Sequence, residues 1–367
     1  MSGQVVRTSK HEQIRLWILD AIRAGTIAPG DKLPSESEMC GQFNASRSSV
    51  RQALTSLISE GWLKSQRGVG TFCLLKDRTL TMDIGLVCYY TGSYIFPRIA
   101  RGCDQIAHRR GFHILLNQSE YDLKKEAEIL HKLQKRGVDG IIIEPVFDGK
   151  GQSNIGLIDE IARSDTPLVL LDNYFPGSDH TRVAMNDREG GRMAASHLWS
   201  KGHRRIAILH EGRYLPKTLR KDGALSYLAE AGAPVREDWV LSHDGPVSSA
   251  HARRLLDDFL GRPGEVPSAF ICTSDEEAME LYKAAESHGI RIPHDVSVIS
   301  FDNSSLADLP GISLTSVDHP GQYMGELATQ VLLEKILNPG ISCQTTSLIA
   351  PRLVERSSVR TISTRAD

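Results

Sequence analysis

Long apolar runs, paired cysteines and catalytic signatures are all missing from this 367-residue chain. No stretch approaches the roughly 18 consecutive apolar residues that a membrane span requires, so no membrane partner is expected. The opening residues, MSGQVVRTSKHEQIRLW, hold no apolar core of the kind that directs export, and a cytoplasmic protein is expected. Six cysteines (Cys40, Cys73, Cys88, Cys103, Cys272 and Cys343) are scattered without a C-x-x-C pair. Reduced thiols are expected, with neither disulfides nor a bound metal. There is no H-E-x-x-H, no G-x-S-x-G, no Walker glycine loop, and no G-x-G-x-x-G joining a strand to a helix. Gly68-x-Gly70 falls in a hairpin, the wrong context for a dinucleotide. Neither an enzyme nor a cofactor is therefore expected.

Charge of one sign is also scarce overall, but it is unevenly placed. The net charge is −2, whereas residues 1–75 carry nine Lys/Arg against six Asp/Glu. A slightly basic module on an acidic body suits a chain that meets nucleic acid at one end. Ile14, Ile18, Leu19 and Ile22 recur at helical spacing over His11–Ala24. Leu33-Pro34-Ser35-Glu36 opens a second helix, with Ser35 as N-cap and Glu38 completing a capping box. A third helix, Ser46–Ser59, carries the apolar stripe Val50, Leu54, Leu57 and Ile58. Trp62–Ser65 and Thr71–Leu74 read as short strands about a glycine turn. Three helices and a hairpin predict a winged helix-turn-helix over residues 1–75.

In such a module the second helix of the motif enters the major groove by its N-terminus. Here that start is Ser46-Arg47-Ser48-Ser49-Val50-Arg51. Arg47 and Arg51 lie one turn apart, and arginine suits the O6 and N7 acceptors of guanine. Ser46, Ser48 and Ser49 can donate to phosphates at the positive end of the helix. Ser35, Glu36 and the wing tip, Arg67 and Gly68, complete the candidate DNA-binding set. Read alone, the two arginines could equally be a solvated helix face.

After a polar linker at 76–81, residues 82–367 alternate short apolar runs with amphipathic segments. The runs are Ile84–Tyr89, Phe112–Leu116, Gly140–Glu144, Leu168–Asp172, Ile206–His210, Ala269–Thr273 and Val296–Phe301. This alternation predicts α/β architecture with parallel sheets, and the length predicts two lobes. Ligands of such sheets bind at the carboxyl ends of the strands, so a cleft between the lobes is expected.

The pattern P-S-E-x-E, V-R-Q-A-L, G-W-L and G-x-G-T-F over the first module resembles the GntR family of bacterial regulators. That resemblance implies a homodimer on a near-palindromic double-stranded operator. It also implies a contact from position 37, where Ser37 replaces the family's usual Arg or Asn and weakens that expectation. GVDGIIIE at 137–144, Asn186-Asp187, KGHRRIA at 201–207, CTSD at 272–275 and VISFD at 298–302 resemble the LacI type of effector domain, a two-lobed periplasmic-binding-protein-like fold. The combination is similar to the family of arabinose-utilisation repressors, which implies repression of carbohydrate genes and L-arabinose as the signal that releases the protein from its operator.

Sugar hydroxyls require carboxylate acceptors, forked arginine donors and an aromatic ring against the C–H face. Tyr94 and Phe96 after the first strand, Glu144, Asp172, Arg220 just before a helix at Gly223, Asp275 and His319 are the candidates. By resemblance, Arg220 and Asp275 fall where LacI-type domains hold their effector. Bland alternatives stay open: Asp275 as a helix cap, Asp172 as a turn former, Phe96 as core, His319 as a structural histidine. Asp302 reads as structural, His203 as surface, and Asn186-Asp187 mainly as a cap. A hexose, nucleoside or purine remains the alternative ligand class, with Tyr174 or Phe175 able to sandwich a base; a sugar-binding protein without a repressor role is a further alternative.

Overall fold

The computed structural model describes residues 9–362 apart from 24–25, 67, 75–79, 91–94, 148–150, 165, 213, 234–235, 244–249, 265 and 339–343. Two compact units result, Met1–Thr81 with Glu334–Cys343, and Met82–Leu333 with Gln344–Asp367. Two of the predicted site residues, Arg67 and Tyr94, lie outside the described residues, as does most of the predicted 76–81 linker.

The first unit builds helices α1 (Lys10–Arg23), α2 (Glu36–Phe43) and α3 (Arg47–Ser59), then the antiparallel hairpin β1 (Leu63–Gln66) and β2 (Gly70–Cys73). Ser35 caps α2 by accepting from the Glu38 amide, and the Glu38 carboxylate accepts from the Ser35 amide at 2.7 Å. Asn44, left-handed at φ 44°, ends α2 and turns the chain into α3. Ile14, Ile18, Met39, Val50, Leu57 and Leu63 form one buried core. Burying these faces stabilises helices too short to persist alone.

The second unit continues through β3 (Asp83–Cys88), α4 (Phe96–Arg109), β4 (His113–Gln118), α5 (Leu123–Arg136), β5 (Gly140–Ile143), α6 (Ile155–Arg163), β6 (Leu168–Leu171) and β7 (Arg182–Met185). It then crosses to α7 (Asp187–Ser200), β8 (Ile206–Glu211), α8 (Leu215–Glu230), β9 (Val240–His243), α9 (Ala250–Leu260), β10 (Ala269–Cys272), α10 (Asp275–Ser287), β11 (Ser297–Asp302) and β12 (Thr315–Asp318). Last come α11 (Gly321–Leu337), β13 (Thr346–Ile349) and β14 (Arg352–Val354). One sheet runs β13-β7-β6-β5-β3-β4, with every pairing parallel; the other runs β14-β12-β11-β10-β8-β9, antiparallel only at β14. Each sheet is the centre of one lobe, and the chain passes between lobes after β7, β12 and β13. None of the described helices is long and apolar enough to cross a membrane.

The two lobes repeat one packing device. Helices α7 and α8 cross at Gly191 and Gly223, where an added Cβ would sit 1.9 Å from the Arg220 and Arg188 carbonyl oxygens. Helices α4 and α11 cross in the same manner at Gly102 and Gly325, with clearances of 2.0 and 2.2 Å. Such backbone-to-backbone approach is closed to any larger residue.

Three sequence expectations need correction. Arg220 lies inside α8 and does not precede it. His203 is fully buried, bonded through Nδ1 to Ser268 Oγ and through Nε2 to the Arg360 carbonyl, each at 3.0 Å. Its neighbours in the KGHRRIA run are charged, and that context hid a tie between the second sheet and the C-terminal segment. Asn186 caps α7 as expected, but Asp187 also reaches Arg220.

Candidate effector cleft and nucleic-acid interface

In the first unit, the exposed start of α3 presents Arg47, Ser48 and Arg51 to solvent. Ser46 is the N-cap, its hydroxyl accepting from the Ser49 amide at 3.2 Å and lying within 2.7 and 3.0 Å of the Ser48 and Ser49 hydroxyls. Arg51 Nε donates to Glu36 at 2.9 Å, although its side chain keeps 67% exposure. Glu36 therefore steers Arg51, a surface pair worth little that a phosphate or base can replace. At the wing, Gly68 is left-handed and exposed, and the Lys32 side chain lies against Gly70, leaving 2.6 Å for a Cβ.

In the second unit, Arg220 is the hub. It is 2% exposed and donates from Nε to Asp187 at 2.7 Å, and from Nη1 to the Thr273 carbonyl at 2.8 Å and to Asp302 at 3.0 Å. Burial opposes its charge, yet Asp187 and Asp302 outweigh burial and hold it firmly protonated. Its Nη2 group makes no hydrogen bond among the described residues, and neither does the buried Asp187 Oδ2. Asp302 is thus an ion-pair partner of Arg220. Its strand ends with φ 100° at Asp302 and 45° at Asn303, a strained exit that aims the carboxylate.

Facing it, the first lobe supplies Glu144 and Asp172, each immediately after a parallel strand. Asp172 is left-handed at φ 59°, and its Oδ1 accepts from His319 Nε2 at 3.2 Å. Burial would lower His319, but Asp172 outweighs it and raises it, while His319 in turn lowers Asp172 against burial. Tyr214, at the N-cap of α8 in the other lobe, lies 2.5 Å from Glu144 Oε1 and 2.8 Å from Asp172 Oδ2. Burial and the neighbouring Asp172 push Glu144 up to about 8.

The remaining candidates separate. Asp275 is fully buried and its two oxygens accept from Ser300 Oγ (2.5 Å), Ser316 Oγ (3.0 Å), the Ser304 amide and Ser304 Oγ (both 2.8 Å). Four donors saturate that carboxylate, which makes it a knot tying β11 and β12 to α10; the cap of α10 is Ser274. Phe96 opens α4 as a buried side chain. Phe175 packs in the first-lobe core against Phe147, and Tyr174 stacks under Arg182 at 4.6 Å.

Several residues escaped the sequence reading. Lys217, one turn before Arg220, bonds to Glu277 at 3.2 Å and Glu211 at 3.3 Å, with His243 Nε2 on Glu277 at 3.3 Å. Burial alone would raise Glu277, yet Lys217 and His243 hold it at about 2. Tyr89 donates to the Pro145 carbonyl and accepts from Asn173, and its ring is stacked at 4.8 Å by Tyr121. Glu120 and Tyr121 both sit at positive φ, 55° and 59°, so the turn after β4 is bent to present that half-exposed ring. The available signal was position: 121 and 214–217 follow strand ends, and 211 and 243 are the last residues of their strands.

Residues 10–73 match the model of the bacterial regulatory proteins of the gntR family, and residues 195–359 match that of a periplasmic binding protein-like domain. Over 357 residues the chain is 32% identical to an arabinose metabolism transcriptional repressor of Geobacillus stearothermophilus, covering 96% of this chain and 98% of that protein. The HTH-type transcriptional repressor PurR of Photorhabdus laumondii is 29% identical over 282 residues, 76% of this chain and 80% of its own. Among solved structures, a complex of the transcriptional regulator CelR with cellobiose aligns at TM-score 0.68 and 20% identity, over 86% of this chain and 91% of that one. A LacI family regulator from Enterococcus faecium with bound ribose aligns at 0.66 and 23%, over 77% and 100%. At those identities the structural likeness is one of fold.

Proposed function

Since this chain belongs to the family of bacterial transcriptional repressors that join a GntR-type DNA-binding head to a periplasmic-binding-protein-like, sugar-binding body, we propose that L-arabinose is the signal releasing it from an operator of carbohydrate-utilisation genes. The observation that carries this reading is the composition of the cleft. Asp187 and Asp302 pair with Arg220, whose Nη2 group makes no hydrogen bond among the described residues, and Glu144 and Asp172 stand at the strand ends of the other lobe. Such a set of acceptors with a forked donor suits a neutral polyol and repels a sugar phosphate or sugar acid. Tyr121 supplies the apolar ring face. A purine is less favoured, because the expected base-stacking residues Phe175 and Tyr174 are taken up by Phe147 and Arg182.

The protein works as a cytoplasmic homodimer, each head placing the start of α3 in a major groove of a pseudo-palindromic operator. Sugar binding between the lobes shifts the dimer toward a state that no longer matches the half-site spacing. The shift is bounded by the sugar's differential affinity for the two states, typically about 1–3 kcal/mol. Arg47→Ala is expected to weaken operator binding by about 1–3 kcal/mol and to relax discrimination at one base position. Equal losses across all operator variants in a fluorescence-anisotropy series would assign Arg47 to a phosphate.

The deciding experiment is operator anisotropy with the promoter beside the protein's own gene, titrated with L-arabinose, D-xylose and D-ribose. Release by L-arabinose at micromolar to millimolar levels is expected. Tight binding indifferent to all three would leave the repressor and remove the arabinose assignment.

A further inference from the structure

The phenol of Tyr214 stands where a ligand hydroxyl would be expected. Two carboxylates of one lobe converge on a single hydroxyl of the other lobe, at 2.5 and 2.8 Å. The ring is steadied edge-on against Tyr89, centroids 5.5 Å apart and planes 72° apart. From these contacts we infer that Tyr214 is a built-in competitor of the effector: its hydroxyl occupies the Glu144–Asp172 pair, straps the lobes together, and must be displaced by a polyol hydroxyl. This rests on reading the cleft as the effector site.

Elementary proton counting supports it. One phenol carries one proton and cannot donate to two carboxylates at once. Both short contacts are hydrogen bonds only if one carboxyl is itself protonated and donates to the phenol oxygen. Asp172 is the ionised member, since His319 donates to its other oxygen. That leaves Glu144 as the protonated one, in the same direction as its upward shift from burial and Asp172. The chain then runs from Glu144 to the Tyr214 oxygen and from the Tyr214 hydroxyl to Asp172. Around Glu144 the remaining titratable neighbours are Cys88, Tyr89 and Tyr121 from the first lobe and His319 from the crossover after β12. Of these, His319 is raised by Asp172, which it already serves. Elsewhere in the cleft, Arg220 Nη2 and the buried His319 Nδ1 lack hydrogen-bond partners among the described residues, so the strap fills one part of the site and leaves the rest for a ligand.

The test is amide hydrogen exchange of the full-length, sugar-free protein, following peptides that contain 144–147, 172–175 and 214–220. Tyr214→Phe keeps the ring and removes the hydroxyl. Exchange at these peptides is expected to quicken about ten-fold, the loss of one charge-assisted hydrogen bond. Glu144→Gln retains a donor toward the phenol and is expected to exchange like the wild type. In the wild type, after correction for intrinsic rates, exchange should quicken above about pH 8, and in Glu144→Gln it should not. Calorimetry with L-arabinose should show tighter binding to Tyr214→Phe, the competitor being gone. Unchanged exchange in sugar-free Tyr214→Phe would overturn the strap, and weaker sugar binding by that variant would make Tyr214 a ligand-binding group instead. If L-arabinose binds neither protein, the arabinose reading fails while the sugar-free exchange still decides the strap.

Discussion

At the scale of single residues, the side chains proposed to meet the effector also hold the second unit together. Arg220 neutralises Asp187 and Asp302 in a dry setting, at 2.7 and 3.0 Å. Removing one partner of such a group leaves charges buried without compensation, which typically costs about 3–5 kcal/mol. Arg220→Ala is therefore expected to lower the midpoint of chemical denaturation as well as to abolish the sugar response. A midpoint equal to the wild type's would show that Asp187 and Asp302 take up protons or water with little penalty. Tyr121→Ala separates the two roles better, because its ring is half exposed. Losing one ring face should weaken L-arabinose binding by about 0.5–1.5 kcal/mol in calorimetry while the denaturation midpoint stays put.

At the scale of elements, the site depends on how closely helices approach. The α7–α8 crossing sets the backbone of Arg220, because the Gly191 Cα faces the Arg220 carbonyl with no room for a Cβ. Gly191→Ala forces the helices apart and shifts Arg220 from the strand ends. An overpacked crossing of this kind costs about 1–3 kcal/mol, and more where backbone must move. Thermal unfolding should show that loss, and sugar affinity should fall with it. Retained affinity at a lowered melting temperature would mean that Arg220 is held by its carboxylates and not by the crossing. In the head, legibility was high: the capping box at Ser35 and Glu38 and the glycine hairpin are local patterns that appear where expected, and Val50, Leu54 and Leu57 of the α3 stripe are buried, though Ile58 is exposed and Ala53 fills the face instead.

At the scale of the whole molecule, buried carboxyls set a pH profile. Glu144 is pushed to about 8 by burial and Asp172, and Glu126 to about 7 by burial, against hydrogen bonds from Asn154 and the Val146 amide. For both, the folded state holds a proton that the unfolded chain has already released. Stability is therefore full below the ordinary carboxylate range and is lost as pH rises toward 8. His319, raised by Asp172 against burial, adds to the same trend. The buried histidines His197, His203 and His210, lowered by burial, matter only below about pH 6.5, so they do not mask it. The melting temperature of the effector domain is expected to fall between pH 6.5 and 8, and Glu126→Gln to shallow that slope. A rise over this interval would contradict the assigned protonation of both glutamates.

The sequence by itself determined the division of labour: a winged helix-turn-helix at one end, parallel α/β lobes over the rest, and the strand ends where binding groups gather. Those features are written in local spacing, caps and apolar runs, which act within a few residues. Only the tertiary structure decided which side chains meet. It made Asp275 a saturated knot, buried His203, and joined Asp302 and Asp187 to Arg220, Tyr214 to Glu144, and Lys217 to Glu277. Those pairings join residues up to 157 positions apart. A side chain's neighbours across a crossover depend on how sheets and helices pack, and no local pattern encodes that.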